Sequence, residues 1–500
     1  MKKDHARFSL LNFGSSGIKN IITTLVGFIA TPFIIKAIGD TNFGLYKTLI
    51  DIFGHFSILE LGLYGTLLSL FIRESAQRPE AMPWVLRWGI KQYKKVTLLS
   101  LALSSLVSYL LYLKFSSTIA NKDLVISLIY CQLFFLILPT LPYKAYLEAN
   151  HQSYKVNLLQ LLNALLYSGI GVSFAYFIPS LSSQILATTL ALLISHLLYL
   201  FLVKMPKKTT DIEIQIEGTS KIQLSYFLND VSGRLCLMCD NLIIAFVMGP
   251  KLVVPFFLTQ RLAQTVQGQL LNIGNSTWST LGLIFHSGEM GLFNKRLIEL
   301  TRIISILGGV TLVTLVLFNQ SFISLWVSDK EFAGTSFTLI ACLNTFFLPL
   351  LTLWGWSFNY SQLVQKTTPV MWFQAILNII FSIVFTYQFG NIGPILGTLL
   401  AYILAPLPIL SLLMKKHYGT SLMALHKSWL LPLIYSLLLT YFLALMPNLI
   451  NVRSWIELII KMFLVSGFTL MSAVFLFLSK TERKEYLERV MKLFKKNKID

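Results

Sequence analysis

Charge is scarce in this chain. Asp, Glu, Lys and Arg make up 13% of its 500 residues, whereas hydrophobic side chains make up 55%. Too few polar residues remain to coat one water-soluble core, so the unit to count is an apolar span of about 20 residues. Cysteine is sparse too: Cys131, Cys236, Cys239 and Cys342 all fall inside apolar stretches. They read as small buried hydrophobes rather than a disulfide framework. Cys236-Leu-Met-Cys239 is nominally a CxxC, but with no second pair it is read as packing. HExxH, P-loop and GxSxG motifs are absent, and with them the common soluble catalytic signatures. No metal or cofactor is expected beyond a coupling ion, Na+ or H+.

What is plentiful is positive charge and long apolar runs. Lys plus Arg number 41 against 22 Asp plus Glu, a formal net charge of +19. No nucleic-acid motif accompanies the excess, and its placement in short loops and at the ends is that of the positive-inside rule. The basic N-terminus is followed by an apolar run reaching Ile38, too long for a signal-peptide core and without a small-residue cleavage site, so the first helix is expected to stay.

Apolar runs fall near 18–38, 45–72, 91–114, 124–147, 156–178, 184–204, 223–249, 252–284, 298–326, 333–358, 370–389, 392–414, 428–446 and 455–479. These predict an all-α integral membrane protein of about fourteen transmembrane helices, with both termini on one side. Placing the N-terminus inside sorts Arg73, Arg78, Arg87, Lys91, Lys94, Lys95, Lys204, Lys207, Lys208, Lys221, Lys415, Lys416 and Lys427 onto that face, with eight more between Lys480 and Lys498. The opposite loops hold only Lys114, Lys122, Lys251, Lys330 and Arg453.

A faint internal repeat is present. Ile34-Ile35 before Gly39 resembles Ile243-Ile244 before Gly249, and Phe134-Phe135 before Pro139 resembles Phe346-Phe347 before Pro349; Gly39 to Gly249 and Pro139 to Pro349 are both separated by 210 residues, and Asn163 and Asn378 recur at 215. Two six-helix lobes related by a parallel repeat follow. The expected organisation is lobe 1–204, an inside linker 205–222, lobe 223–414, two additional helices in 428–479 and a basic tail 480–500. The tail reads as an amphipathic helix on the anionic inner leaflet or as a solvated basic end.

A charge at membrane depth calls for a partner, a water-filled cavity or snorkelling. Asp230 with Arg234, Glu457 with Lys461, and Lys47 with Asp51 are spaced i,i+4 for local pairing. Arg261 has no acid among its helical neighbours, and Asp240 and Glu60 have no base one turn away. Arg261, Thr265, Gly268, Asn272, Asn275 and Ser279 form a polar stripe on span eight; Ser16, Asn20, Thr23, Gly27 and Thr31 form one on span one, and Lys47, Asp51 and His55 a shorter one on span two. Such stripes either glue helices together or line a substrate cavity. The uncharged stripe of span one stays open between the two, and a cavity is preferred for span eight.

By helical rise, Asp51 lies roughly 10 Å from a turn at Gly44, Asp240 roughly 14 Å from the turn at Gly249 and Arg261 at most about 18 Å past it. Asp240 and Arg261 are thereby candidates for a pair that an anionic substrate exchanges. His55 is read as packing in preference to a proton role beside Asp51, and His196 as packing.

Pro32-Phe-Ile-Ile-Lys-Ala-Ile-Gly39, Asn42-Phe-Gly-Leu-Tyr46 and Phe56-Ser-Ile-Leu-Glu-Leu-Gly62 resemble the first two helices of bacterial polysaccharide flippases. These are the O-antigen transporter type of the multidrug/oligosaccharidyl-lipid/polysaccharide exporter superfamily. Asp240-Asn-Leu-Ile-Ile-Ala-Phe-Val-Met-Gly249 and Phe322-Ile-Ser-Leu-Trp326 resemble the matching stretches of its second half. The resemblance covers roughly residues 10–415.

It implies two six-helix lobes around a central cavity, lined by spans 1, 2, 7 and 8 and working by alternating access in the bacterial cytoplasmic membrane, with both termini cytoplasmic. The ligand it implies is a lipid-linked oligosaccharide, commonly on undecaprenyl pyrophosphate, with membrane lipids and the glycan polymerase or glycosyltransferases of the same pathway as partners. Arg261 sits where relatives place a cavity arginine, suited to bidentate phosphate binding. Arg234, Lys47, Asn272, Asn275 and Asn20 join it as substrate-binding candidates, and Asp240, Asp51, Glu60 and His55 as coupling or gating candidates. Lys47 is equally read as a snorkelling lysine.

The runner-up is a cation-coupled multidrug exporter of the same superfamily. It is disfavoured because residues 18–38 hold neither Asp nor Glu, where drug-exporting relatives generally carry a coupling carboxylate. A membrane glycan polymerase or ligase usually presents a large outer loop, and every outer loop here is short. A transporter rather than an enzyme is expected.

Overall fold

The computed structural model describes residues 2–203, 221–360, 363–485 and 488, and every regular element among them is helical. The chain divides into two compact units, Met1–Thr219 with Ile244–Val254, and Ser220–Ile243 with Pro255–Asp500. The first holds α1 (Lys2–Ile38), α2 (Asp40–His55), α3 (Leu63–Gln77), α4 (Met82–Phe115), α5 (Asn121–Gln132), α6 (Leu141–Ala149), α7 (Ser153–Phe177) and α8 (Leu181–Leu202). The second holds most of α9 (Lys221–Val247) and α10 (Val253–His286). It continues through α11 (Met290–Trp326), α12 (Thr335–Tyr360), α13 (Val364–Phe389), α14 (Gly393–Leu404), α15 (Pro406–Tyr418), α16 (Leu422–Ala444), the single turn α17 (Pro447–Ile450) and α18 (Trp455–Phe477).

Ten helical segments among the described residues are long and apolar enough to cross a membrane, and eleven if the bent α2–α3 pair counts as one. The chain is a multi-pass membrane protein. On α18, Ile456, Ile459, Ile460, Phe463 and Leu464 are all exposed, an apolar face that only lipid would solvate. One of the ten segments, Val364–Tyr418, folds back on itself: the Asn378 amide of α13 donates to Thr398 Oγ1 of α14 at 2.6 Å, and Ser382 Oγ to the Pro394 carbonyl at 3.1 Å.

Several expected spans are broken rods. The run 45–72 is α2, a 3-10 stretch over Phe56–Glu60, and α3, bent by 50°, because Leu61 (φ 48°) and Gly62 (φ 77°) both turn left-handed. The run 124–147 tightens to a 3-10 helix over Leu133–Thr140 around Pro139. Helix α2 also starts at Asp40 rather than near 45, so Asp51 lies roughly 17 Å from its turn, deeper than the sequence reading placed it.

Gly39, between α1 and α2, and Gly249, between α9 and α10, have nearly the same conformation, φ 81°, ψ 162° and φ 98°, ψ 157°. Only glycine populates that region without strain of about 1–3 kcal/mol. Gly39→Ala is therefore expected to lower thermal stability in detergent, with Ile38→Ala, at a buried neighbour, as the comparison; an unchanged melting temperature for Gly39→Ala would count against the strain argument.

In the second unit, α18 packs on α11 through Val313, Leu317, Phe318, Leu458 and Val465, with Leu439 and Leu443 of α16 against the same cluster. Beyond α18, Ser479-Lys-Thr-Glu482 forms a capping box: Glu482 N–H donates to Ser479 Oγ at 3.2 Å, and Ser479 N–H to Glu482 Oε2 at 2.8 Å. Arg302 of α11 donates to Glu482 Oε1 at 2.9 Å and to the Phe477 carbonyl at 3.2 Å. Burial works to raise the Glu482 pKa, but the Ser479 bonds and Arg302 outweigh it and leave the carboxyl below its ordinary 4.5. A depressed acid stabilises above its unfolded pKa and loses that contribution as pH falls through the folded value. Hydrogen exchange of residues 479–485, corrected for intrinsic rates, is thus expected to stay flat from about pH 8 to about 5 and to rise only below. A rise already near neutrality would contradict the pairing. The expected linker 205–222 lies outside the described residues except for its last two, and the expected tail helix is described only over 480–485 and at 488.

Candidate functional site

The second unit encloses a cavity of about 510 Å³ among α9, α10, α12, α13 and α14. Its polar lining comes from Asn229, Asp230 and Arg234 of α9, Asn275 of α10, Asn359 of α12, Thr367 and Gln374 of α13, and Tyr402 of α14, with Trp356 of α12 beside them. One helical turn separates Asp230 from Arg234, and Arg234 Nε lies 2.8 Å from Asp230 Oδ2, the i,i+4 pair the sequence predicts. The Asn229 amide donates to Thr367 Oγ1 at 3.4 Å, while its buried Oδ1 has no hydrogen-bond partner among the described residues. Gln374 Nε2 reaches Cys236 Sγ at 3.6 Å.

A smaller pocket of about 50 Å³ adjoins this cavity, sharing Cys236 and Tyr402 with it. It is lined by Asp240, the glutamines Gln260, Gln264 and Gln267 of α10, Asn344 and Thr345 of α12, and Thr398 of α14. Asn344 spends its amide on the Ile395 carbonyl at 2.8 Å, and Asn378 next to Thr398 spends its own on Oγ1. Asp240 Oδ1, Asn344 Oδ1 and Asn378 Oδ1 are buried acceptors with no hydrogen-bond partner among the described residues. One carboxylate with amide and hydroxyl oxygens suits a hard monovalent cation or a proton, not a transition metal. No cluster of three His, Cys, Asp or Glu occurs among the described residues.

Of the residues singled out in the sequence, Arg234 and Asn275 thus share the larger cavity and Asp240 lies in the adjoining pocket. Arg261 and Asn272 line neither. The Arg261 guanidinium lies 5.5 Å from the Phe257 ring centroid, one turn back, and Asn272 Nδ2 is 3.5 Å from Gln269 Oε1. In the first unit, Lys47 Nζ sits over the rings of Phe43 and Tyr46 at 5.5 and 5.4 Å. His55 Nδ1 lies 2.6 Å from the Asp51 carbonyl oxygen, the local bond of a packing histidine, and its Nε2 is buried with no partner among the described residues. Glu60 Oε2 accepts from Tyr93 OH at 3.0 Å. Along α1, Thr23 and Thr31 turn their hydroxyls back to the carbonyls of Lys19 and Gly27, at 2.8 and 2.7 Å, and the Asn20 carbonyl also accepts from Thr23 at 3.2 Å. That stripe satisfies much of its polarity on its own backbone.

Some membrane-depth polar groups escaped the sequence reading. Lys19 of α1 donates to Gln160 of α7 at 3.0 Å. Glu148 of α6 accepts from Tyr64 OH at 2.7 Å and lies 3.9 Å from Lys144, whose ammonium stands 5.1 Å from the Tyr64 ring centroid. Lys19 is a base within an apolar run and Lys144–Glu148 an i,i+4 pair, so both signals were legible. Trp356 and Gln374 carried none, since an aromatic or a glutamine on an apolar helix has no period of its own.

Solved structures share this fold. The lipid II flippase MurJ in an inward closed conformation superposes with a TM-score of 0.66 at 15% identity, over 94% of this chain and 98% of that one. An inward-facing multidrug resistance MATE family transporter of the MOP superfamily gives 0.54 at 14% identity, over 84% and 96%. MATE in complex with MaL6 gives 0.51 at 15%, over 83% and 97%. At such identities the likeness is one of fold: that of the MurJ and MATE membrane transporters. The polysaccharide biosynthesis protein family matches residues 9–278, and the chain belongs to that family. No protein of curated function matches it in sequence.

Proposed function

We propose that this protein is a flippase that carries a lipid-linked oligosaccharide, a polyprenyl-pyrophosphate repeat unit, from the inner to the outer leaflet of the bacterial cytoplasmic membrane for surface polysaccharide synthesis. The observation that carries this reading is a 510 Å³ cavity with a cluster of polar side chains on its wall inside a bundle of membrane-spanning helices, since a hydrophilic headgroup needs polar groups where lipid offers none. Family membership and the MurJ-like fold support it.

In this reading α9 and α10 also cross the membrane, α13 and α14–α15 cross separately, and fourteen passages put both termini in the cytoplasm. The repeated turn geometry at Gly39 and Gly249 supports two related six-helix halves. Arg234 and Arg261 hold the phosphates, with Lys47, Asn20, Asn272 and Asn275 as further contacts. Asp240, with Asp51, Glu60 and His55 as lesser candidates, couples transport to Na+ or H+. The carrier alternates between states that expose its site to one side and then the other, delivering the glycan to the polymerase of its pathway. A cation-coupled drug exporter is the second reading, favoured by the MATE likeness and the Asp240 pocket.

The test is the amount and sidedness of lipid-linked glycan in cells deleted for the gene, then restored with wild type, Arg234→Ala or Arg261→Ala at equal membrane level. Inner-leaflet accumulation cleared by wild type is the expected result, with clearance slowed at least about tenfold by replacing an arginine that holds phosphate. Clearance at wild-type rate by a variant removes that arginine from the site. No accumulation on deletion, with altered resistance to cationic drugs, would replace the flippase with the exporter.

A further inference from the structure

Apart from Arg234, the polar lining of the second unit's cavity is chemically unlike a phosphate site. Among the described residues lining it, the only charged ones are Asp230 and Arg234, and they pair with each other at 2.8 Å. The remaining polar groups are neutral, with the amides of Asn229, Asn275, Asn359 and Gln374 foremost. An amide presents donors and an acceptor together. Phosphate only accepts, so half of that capacity would go unused on it; a sugar hydroxyl donates and accepts, and matches it.

Trp356 supplies the second requirement. A Cβ placed on Gly274 would come within 3.1 Å of its Cζ3, so the indole rests against bare α10 backbone while contributing to the cavity wall. A braced aromatic surface beside a cluster of amides suits a pyranose, whose ring edges are polar and whose faces carry C–H groups. Volume agrees, since about 510 Å³ falls in the range of about 300–1,000 Å³ typical of small-ligand sites. Asn229, which lines the cavity, has a buried Oδ1 with no hydrogen-bond partner among the described residues.

We infer that this cavity is a sugar subsite, in which Trp356 stacks on one uncharged pyranose of the carried glycan and the surrounding amides bond its hydroxyls, beside Arg234, which is left to the pyrophosphate. The inference rests on the flippase reading and adds to it a division of labour: the glycan is read here, by neutral chemistry.

The test is binding to the full chain in phospholipid nanodiscs. The probes are a short polyprenyl pyrophosphate without sugar and the same lipid bearing glucose, galactose or N-acetylglucosamine. For wild type at least one sugar-bearing probe is expected to bind about tenfold tighter than the bare lipid. Trp356→Ala should reduce that ratio to less than about twofold and leave affinity for the bare lipid unchanged, while Trp356→Phe keeps most of the ratio. Should Trp356→Ala fail to yield folded protein, Gly274→Val, which pushes the indole from its seat, takes its place against Trp356→Phe. Equal binding of bare and sugar-bearing lipids by wild type overturns the sugar subsite and leaves the flippase standing; so does equal weakening of all probes by the variant, or a ratio the variant does not change. Failure of wild type to bind any probe overturns the flippase reading as well.

Discussion

Cells relying on Gly44→Val are expected to lose at least about tenfold in transport at a membrane level equal to wild type. In the first unit α2 lies against the turn formed by Pro250–Leu252, and a Cβ on Gly44 would overlap the Pro250 carbonyl oxygen. Both partners are backbone, so neither can rotate away as a flexible side chain would. Overpacking a tight contact costs typically about 1–3 kcal/mol, and more when backbone has to retreat. The same helix carries Lys47, Asp51 and His55 within the next three turns, so its retreat also moves those side chains. Gly44→Ala should show the same defect in weaker form. Wild-type transport by the valine variant at equal level would mean the approach of α2 to the turn is dispensable.

The second large effect is expected at Asp240. Asp240→Asn keeps the shape of the side chain and removes its charge from a pocket whose other lining groups are neutral. Of those neutral groups, Asn344 has a buried Oδ1 without a hydrogen-bond partner among the described residues. If this carboxylate receives the coupling ion, transport driven by an imposed Na+ or H+ gradient should fall at least about tenfold, because the variant loses the charge that favours the cation. Thermal stability should change little, since asparagine fits the same space. The measurement is gradient-driven movement of lipid-linked glycan in proteoliposomes. Unchanged gradient dependence in Asp240→Asn would move coupling elsewhere, with Asp51 and Glu60 next in line.

Where the chain could hide charge was legible from its letters; which charges share a space was not. The i,i+4 rule found Asp230–Arg234 and Glu457–Lys461 because helix geometry fixes that spacing locally. Arg261 drew attention for want of a local acid, yet its guanidinium lies by Phe257, an apolar residue that a search for acids passes over. Asp240 stands out in the sequence as a carboxylate without a local base, but its glutamine and asparagine neighbours come from α10 and α12, tens of residues away. Lys19 was missed inside a stripe read as uncharged, although it stands in plain view between Ile18 and Asn20.

By itself the sequence determined that this is a multi-pass helical membrane protein and where its apolar runs lie, because hydropathy and helical period act over a few residues at a time. Only the tertiary structure decided that span two breaks at Leu61, that Trp356 rests on Gly274, and that Asn229, Asn275, Asn359 and Gln374 face one cavity. The reason is packing: a membrane helix hides its polar face against whichever neighbours the fold supplies, and one helix's own sequence does not name them.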